Sequence, residues 1–252
     1  MSAQKLNVLK TYFLILIFIA TCYSETFLEQ QKKAARFITA EKDKKYLVQE
    51  LFTSKGLSFP NVEIFIRVFK NEENLELWAR KVNTGKFILV RTYKICSNSG
   101  SLGPKRKQGD GQVPEGCYFI DKFNPYSNFY LSLGLNYPNE SDKILGGKTN
   151  LGGDIFIHGD CVTIGCIPLT NYYIEELYYI CVYAKNNGQF KIPVHIFPIK
   201  LDSVGMNKLK GYFTDPKLIS FWQNLEQIYN KFETTHDQIN YLIDSKGNYI
   251  VK

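Results

Sequence analysis

The stretch Ile157-His158-Gly159-Asp160-Cys161-Val162-Thr163-Ile164-Gly165-Cys166 places one of the chain's three histidines shortly before a cysteine that follows a glycine. The apolar residues ahead of it predict a short buried strand over Gly153–His158 that ends on the histidine. A thiol is a useful nucleophile only as the thiolate, and a nearby imidazole is the usual group that takes its proton. A strand end and a tight loop can bring these two side chains within hydrogen-bond reach. Gly159 and Gly165 are small enough for a substrate backbone to come close. Gly165 is also expected to leave its own N–H and that of Cys166 free to face a developing oxyanion. The pattern predicts acyl transfer, with Cys166 attacking a carbonyl and His158 as general base. The plainer reading is a strand-ending histidine and a small buried thiol. Cys161 lacks a preceding glycine and is expected to pack or stay a local thiol. His195 lies in an apolar strand, as a satisfied core histidine or a support for the site, and His236 has no assigned role.

Outward from this stretch, the patterning predicts strands over Val62–Lys70, Leu75–Lys81 and Phe87–Ile95, an antiparallel meander whose first member alternates like a half-buried strand. Ser97–Gly116 reads as a long loop, and Gly116–Asp121 and Asn128–Leu135 as strands. Pro138–Asn150 reads as a second glycine-rich loop. Downstream, a helix starts at Thr170 or Asn171, with Glu175 and Glu176 in its first turn, and runs to about Lys185. Ile192–Ile199 is a strand, Asp215-Pro216 opens an amphipathic helix, and Tyr241–Val251 closes as a hairpin. Glu25–Thr53 reads as helical. The expected class is α+β, mainly antiparallel β, with helices at both flanks. Its divisions are 1–24, 25–60 (helical), 61–200 (catalytic) and 201–252 (helix and hairpin).

Residues 1–24 have the layout of a secretory signal: Lys5 and Lys10, the apolar run Tyr12–Ala20, then small or polar residues through Ser24. Ile19-Ala20-Thr21-Cys22 also fits a lipoprotein signal, with membrane attachment through Cys22; an uncleaved anchor is the third reading. Without Cys22, five of the six cysteines remain, and an odd number in an exported chain points to a free thiol. No close CxxC spacing supports a zinc site. The +7 net charge is spread along the chain, densest at Lys105-Arg106-Lys107. It suits a polyanionic wall or membrane surface better than nucleic acid, or simply a solvated loop.

His158-Gly159 followed by Thr163-Ile164-Gly165-Cys166 resembles the signature of the L,D-transpeptidase (YkuD-type) catalytic domain, in its YafK-like branch. Further blocks carry the resemblance in order: Ser99–Lys105, Gly109–Gly116, Asn124–Ser132 and Val194–Pro198. It implies a YkuD-like β domain in the periplasm or cell envelope, acting on peptidoglycan stem peptides in wall biogenesis or remodelling, without metal or organic cofactor. The cysteine would form a thioester at a meso-diaminopimelate carbonyl, resolved by an amine (cross-linking) or by water. The carbonyl of Gly159 would orient His158. Thr163 falls in the signature and is taken as a substrate contact. Most members carry an arginine two residues after the cysteine, where this chain has Pro168, and a longer loop before it. Lys105, Arg106 or Lys107 is expected to supply that missing charge to a substrate carboxylate.

Other readings stand beside this one. The same nucleophile can serve a hydrolase, an amidase or L,D-carboxypeptidase that releases wall-linked protein or a D-amino acid. A catalytically inactive wall-binding module, or a zinc or disulfide protein using Cys161 and Cys166, are readings of other classes.

Overall fold

The computed structural model describes residues 25–252; residues 1–24, on which the signal and Cys22 attachment readings fall, lie outside them. Eight strands form the main sheet: β1 Val62–Phe69, β2 Asn74–Lys81, β3 Ile88–Lys94, β4 Gly116–Asn124, β5 Ser132–Leu135, β6 Phe156–His158, β7 Ile167–Pro168 and β8 Ile192–Phe197. Their order is β3-β2-β1-β8-β4-β5-β6-β7. Neighbours are antiparallel except β1–β8 and β6–β7. The helices are α1 Phe27–Gln31, α2 Ala35–Thr53, α3 Glu140–Gly146, α4 Asn171–Asn186, α5 Ser203–Tyr212 and α6 Pro216–Thr235. A separate hairpin pairs β9 Tyr241–Ile243 with β10 Tyr249–Val251. The class is α+β, with a large, mostly antiparallel sheet flanked by helices.

Both faces of the sheet are covered. On one, α2 and α4 pack Phe37, Phe52, Leu177 and Ile180 against Ile64, Ile66, Val194 and Ile196. On the other, α6 lays Trp222, Leu225, Tyr229 and Phe232 over Phe65, Phe69 and Phe197. This corrects the half-buried reading of β1, in which only Glu63 escapes full burial. Arg67, on the face assigned to solvent, is 2% exposed. Burying a guanidinium is tolerable only when it is paired. Arg67 donates to Glu233 of α6 at 2.5 Å and lies 3.4 Å from Glu76, with the rings of Phe69 and Tyr229 around it.

Local chemistry explains the other departures. The expected continuous helix from Glu25 is broken where Ala34 is extended ahead of α2; Thr26 and Glu29 cap α1 reciprocally, and Gln31 at its end turns inward to accept the Tyr178 hydroxyl at 2.6 Å. Pro138–Asn150 contains α3, started by the reciprocal cap of Asn139 and Asp142. The Asp202 side chain accepts from Gly205 N–H and starts α5, which the sequence reading left out. At α6, Asp215 accepts from Lys217 N–H and Pro216 opens the first turn. Glu175 and Glu176 serve tertiary contacts more than the helix dipole. Glu176 accepts from Tyr93 at 2.8 Å and Arg91 at 3.2 Å, and Glu175 accepts from Tyr130 at 2.5 Å. The strand expected over Asn128–Leu135 begins only at Ser132, and the residues before it form a loop beside the candidate site.

Candidate active site

β6 is held on both sides. His158 is opposite Ser132 of β5 and beside Pro168 of β7, and the residue is 1% exposed. Its Nδ1 lies 2.5 Å from the carbonyl oxygen of Gly159. A carbonyl only accepts, so Nδ1 carries the proton and Nε2 keeps a lone pair. The Phe129 ring packs on the imidazole with centroids 4.7 Å apart. Burial lowers the His158 pKa below its ordinary 6.5, against the opposing pull of the Gly159 carbonyl and Asp160. The imidazole is therefore neutral, and able to accept a proton, at neutral pH.

Cys166 is half-buried, with Sγ 3.7 Å from the carbonyl oxygen of Asp154. Burial raises its pKa above 9.0 and the Asp154 charge adds to this, while the Phe156 backbone N–H and Lys105 act the other way. The resting pair is thus a neutral thiol and a neutral imidazole, so proton transfer must accompany attack. Both side chains line one cavity of about 510 Å³, together with Phe129, Asp154, Phe156 and Thr163. Because the lowered pKa belongs to the base, activity should be full at neutral pH and fall as pH drops through a midpoint below 6.5. A rate profile whose acid midpoint lies at or above 6.5 would contradict this assignment.

Thr163 has a different task from the one expected. Its hydroxyl accepts from Cys166 N–H at 2.8 Å and Gly165 N–H at 3.2 Å, and donates to the Cys166 carbonyl at 2.9 Å. It lines the cavity, but its hydrogen-bonding capacity is spent inside the loop. The same bonds occupy both N–H groups expected to face an oxyanion, so neither is free for that role. Thr163→Val should leave these groups unpaired and cost about 1–3 kcal/mol where they are shielded from water. Melting temperature and the alkylation rate of Cys166 should both fall, with Thr163→Ser close to the parent. Unchanged values in the valine variant would refute this role.

Cys161 is not a free thiol. It is bonded to Cys96, with Cα atoms 5.4 Å apart and a sequence separation of 65. This fastens the His158–Cys166 loop to the chain just beyond β3. The remaining free cysteines among the described residues are Cys166, Cys117 and Cys181; the last two are buried, and burial pushes both thiols up. No group of three or more His, Cys, Asp or Glu among the described residues is placed to hold a metal.

The basic cluster is also differently employed. Lys105 is 5% exposed and bonded to Asp110 at 2.7 Å and to the Lys107 carbonyl at 2.8 Å. Arg106 donates to Asp142 at 2.6 Å and lies over the Phe221 ring. Neither lines the cavity, because each is neutralised by a carboxylate of its own loop or of α3; Lys107 is exposed but does not line the cavity either. The 105–112 loop instead backs the nucleophile. Gly165 has φ +138°, and a Cβ there would lie 3.0 Å from the carbonyl oxygen of Gln112. His195 lies in a separate cavity of about 160 Å³. It is buried and held neutral, its pKa lowered to about 3 by burial and by Arg67, but it is not satisfied: Nδ1 has no hydrogen-bond partner. His236 caps α6 in the left-handed region.

A model of the L,D-transpeptidase catalytic domain, YkuD, matches residues 63–196. The chain belongs to this family. It is 34% identical over 191 residues to Escherichia coli K12 YafK, an L,D-transpeptidase by name, covering 75% of this chain and 73% of that protein. Two solved structures are also similar. Pgp2 of Campylobacter jejuni, a helical cell shape determining protein, aligns with a TM-score of 0.44 at 17% identity, covering 76% of this chain and 91% of its own. Bd1075 of Bdellovibrio bacteriovorus aligns with a TM-score of 0.39 at 23% identity, covering 68% and 57%. Family membership ties the chain to peptidoglycan chemistry.

Three residues around the pair escaped the sequence reading. Phe129 covers the imidazole, the Asp154 carbonyl faces the thiol, and Asn171 Oδ1 accepts from Asp160 N–H at 2.9 Å to hold the start of the loop. The Pro, Ser and Asn content of Asn124–Asn128 was the available signal that a loop, not a strand, carries Phe129.

Proposed function

We propose that the protein is an exported cysteine acyltransferase acting on peptidoglycan stem peptides. Cys166 attacks a peptide carbonyl while His158 Nε2 takes the thiol proton. The same imidazole returns that proton to the departing amine, leaving a thioester on Cys166. An acceptor amine then replaces the sulfur and restores the thiol. The observation that carries this reading is the neutral, carbonyl-pinned His158 sharing one cavity with the half-buried free thiol of Cys166. Among the described residues, Asp154, whose side chain is 82% exposed, is the one acidic side chain lining the cavity, and no lysine or arginine lines it. That arrangement suits an ammonium group on donor or acceptor. Export is supported by the N-terminal pattern and by the Cys96–Cys161 bond, which belongs to an oxidising compartment.

The test incubates the protein and Cys166→Ala with disaccharide-tetrapeptide, with and without a D-amino acid, and reads products by mass spectrometry. Cysteine-dependent exchange or dimer formation is the expected result. Cysteine-dependent cleavage without acceptor incorporation would assign the hydrolytic alternative. Product formation that survives Cys166→Ala would overturn the nucleophile.

A further inference from the structure

We propose that Arg36, on the N-terminal helix α2, is a positioning residue for His158: it clamps the loop that lays Phe129 on the imidazole and interlocks with Gly159. This rests on His158 being the general base. Arg36 lies outside the 63–196 span matched by the family model, so it extends the site to a helix the catalytic domain does not include.

The geometry is direct. Arg36 Nη1 carries two hydrogens, and it donates to the carbonyl of Ser127 at 2.5 Å and that of Tyr130 at 2.7 Å. The two carbonyls bracket Asn128 and Phe129. Tyr130 sits at φ +67°, a left-handed conformation that a bulky side chain adopts only when its surroundings impose it. Helix α2 reaches the same loop a second time, since Tyr130 donates to Glu175, which lies 3.4 Å from Lys44. The held loop then meets the base from two directions. The Phe129 ring lies against His158, tilted by 33°, with centroids 4.7 Å apart. Gly159 donates from its N–H to the Leu131 carbonyl at 3.1 Å. A Cβ on Gly159 would lie 2.9 Å from Tyr130 Cβ and 3.0 Å from the Phe129 carbonyl oxygen. The residue whose carbonyl pins Nδ1 is therefore wedged against the loop that Arg36 holds.

The titratable and charged groups facing His158 are Asp160 on its own loop, Cys166 and Asp154 across the cavity, and, behind the clamped loop, Tyr130 with Glu175 and Lys44, and Arg36 itself; the facing residues of β5 and β7 carry no charge. Arg36 is itself a cation, so its removal has an electrostatic effect that the test must separate from the clamp.

The experiment follows His158 by NMR titration of histidine-labelled protein, assigned with His158→Gln, alongside kcat. Arg36→Met should move the His158 midpoint up toward 6.5, because the burial it relieves is the largest influence on that group and outweighs the Gly159 carbonyl contact it loosens, and should lower kcat roughly 10–100-fold, the range for a misplaced catalytic group. Arg36→Lys should restore most of both, because it keeps the charge and the donors. Phe129→Ala, which leaves Arg36 in place, should move the midpoint in the same direction. The double variant should move it no further. A folded Arg36→Met protein with an unmoved midpoint overturns the proposal. So does a shift that adds in full to that of Phe129→Ala, which would make Arg36 a distant charge. The titration needs no turnover. An inactive parent protein would sink the acyltransferase reading, while the midpoints would still decide the clamp.

Discussion

Cys166→Ser lowers turnover by an expected factor of about 10⁴ or more while leaving the melting temperature within a few degrees of the parent. The size follows from the resting state. His158 is neutral and has a lowered pKa, so it is a weak base, adequate for a thiol but far from matched to a hydroxyl. The same state predicts the labelling pattern. Cys117 and Cys181 are buried, and Cys96 is bonded to Cys161, so iodoacetamide should modify one site among the described residues, Cys166. With His158 replaced by Gln, the labelling rate should climb with pH through a midpoint above 9.0, where burial has pushed the thiol. Peptide mapping that finds the adduct elsewhere, or a serine variant that still turns over, would remove the nucleophile from the scheme.

The second large effect belongs to the disulfide. Replacing both Cys96 and Cys161 by Ser frees a loop of 65 residues in the unfolded chain. Loop-closure entropy sets the expected loss at about 4 kcal/mol, which is a melting temperature lower by roughly 8–16 °C for a chain of this size. The native loop has little else to hold it. Val162 and Ile164 are exposed, at 56% and 88%, so they contribute little burial. Apart from the disulfide, hydrogen bonds tie its two ends, Gly159 to Leu131, Asp160 to Asn171 and Cys166 Sγ to the Asp154 carbonyl, while the three bonds of Thr163 stay within the loop. Turnover should therefore fall in the double variant even below its melting range. Reducing the parent protein should reproduce the lower melting temperature. Equal melting temperatures for the parent and the double variant would show that the loop does not depend on the bond.

The visible part of this site was local in sequence. His158, Gly159, Gly165 and Cys166 lie within one short stretch, and β6 and its loop bring the histidine and cysteine to one cavity. The hidden part came from partners far along the chain. Nothing in the cysteine spacing names Cys96 as the mate of Cys161, since connectivity does not follow from sequence. Arg106 looked free because Asp142 is 36 residues away, although the Asp110 that binds Lys105 is only five residues on. Thr163 looked like a substrate contact because hydroxyl bonds are a matter of geometry, not residue type. The fold divides in the same way. The β1–β3 meander and the Asp215-Pro216 helix start were readable, yet β1 looked half-buried because the helix covering its second face comes well over a hundred residues later. The start of α3 was readable in principle from Asn139 and Asp142, a reciprocal cap hidden by the glycines around it.

The position of β8 bears on when a reactive thiol can first exist. Residues 192–197 lie between β1 and β4, so the meander and the half of the sheet that carries His158 share no strand pairing until that late segment arrives. A chain ending before Ile192 would present two long unpaired edges, the kind of surface that recruits other chains. The pairings that join the halves span most of the sequence, which makes them slow to form. The nucleophile is thus made early but armed late. Fragments cut short of β8 should aggregate before they display any cysteine chemistry.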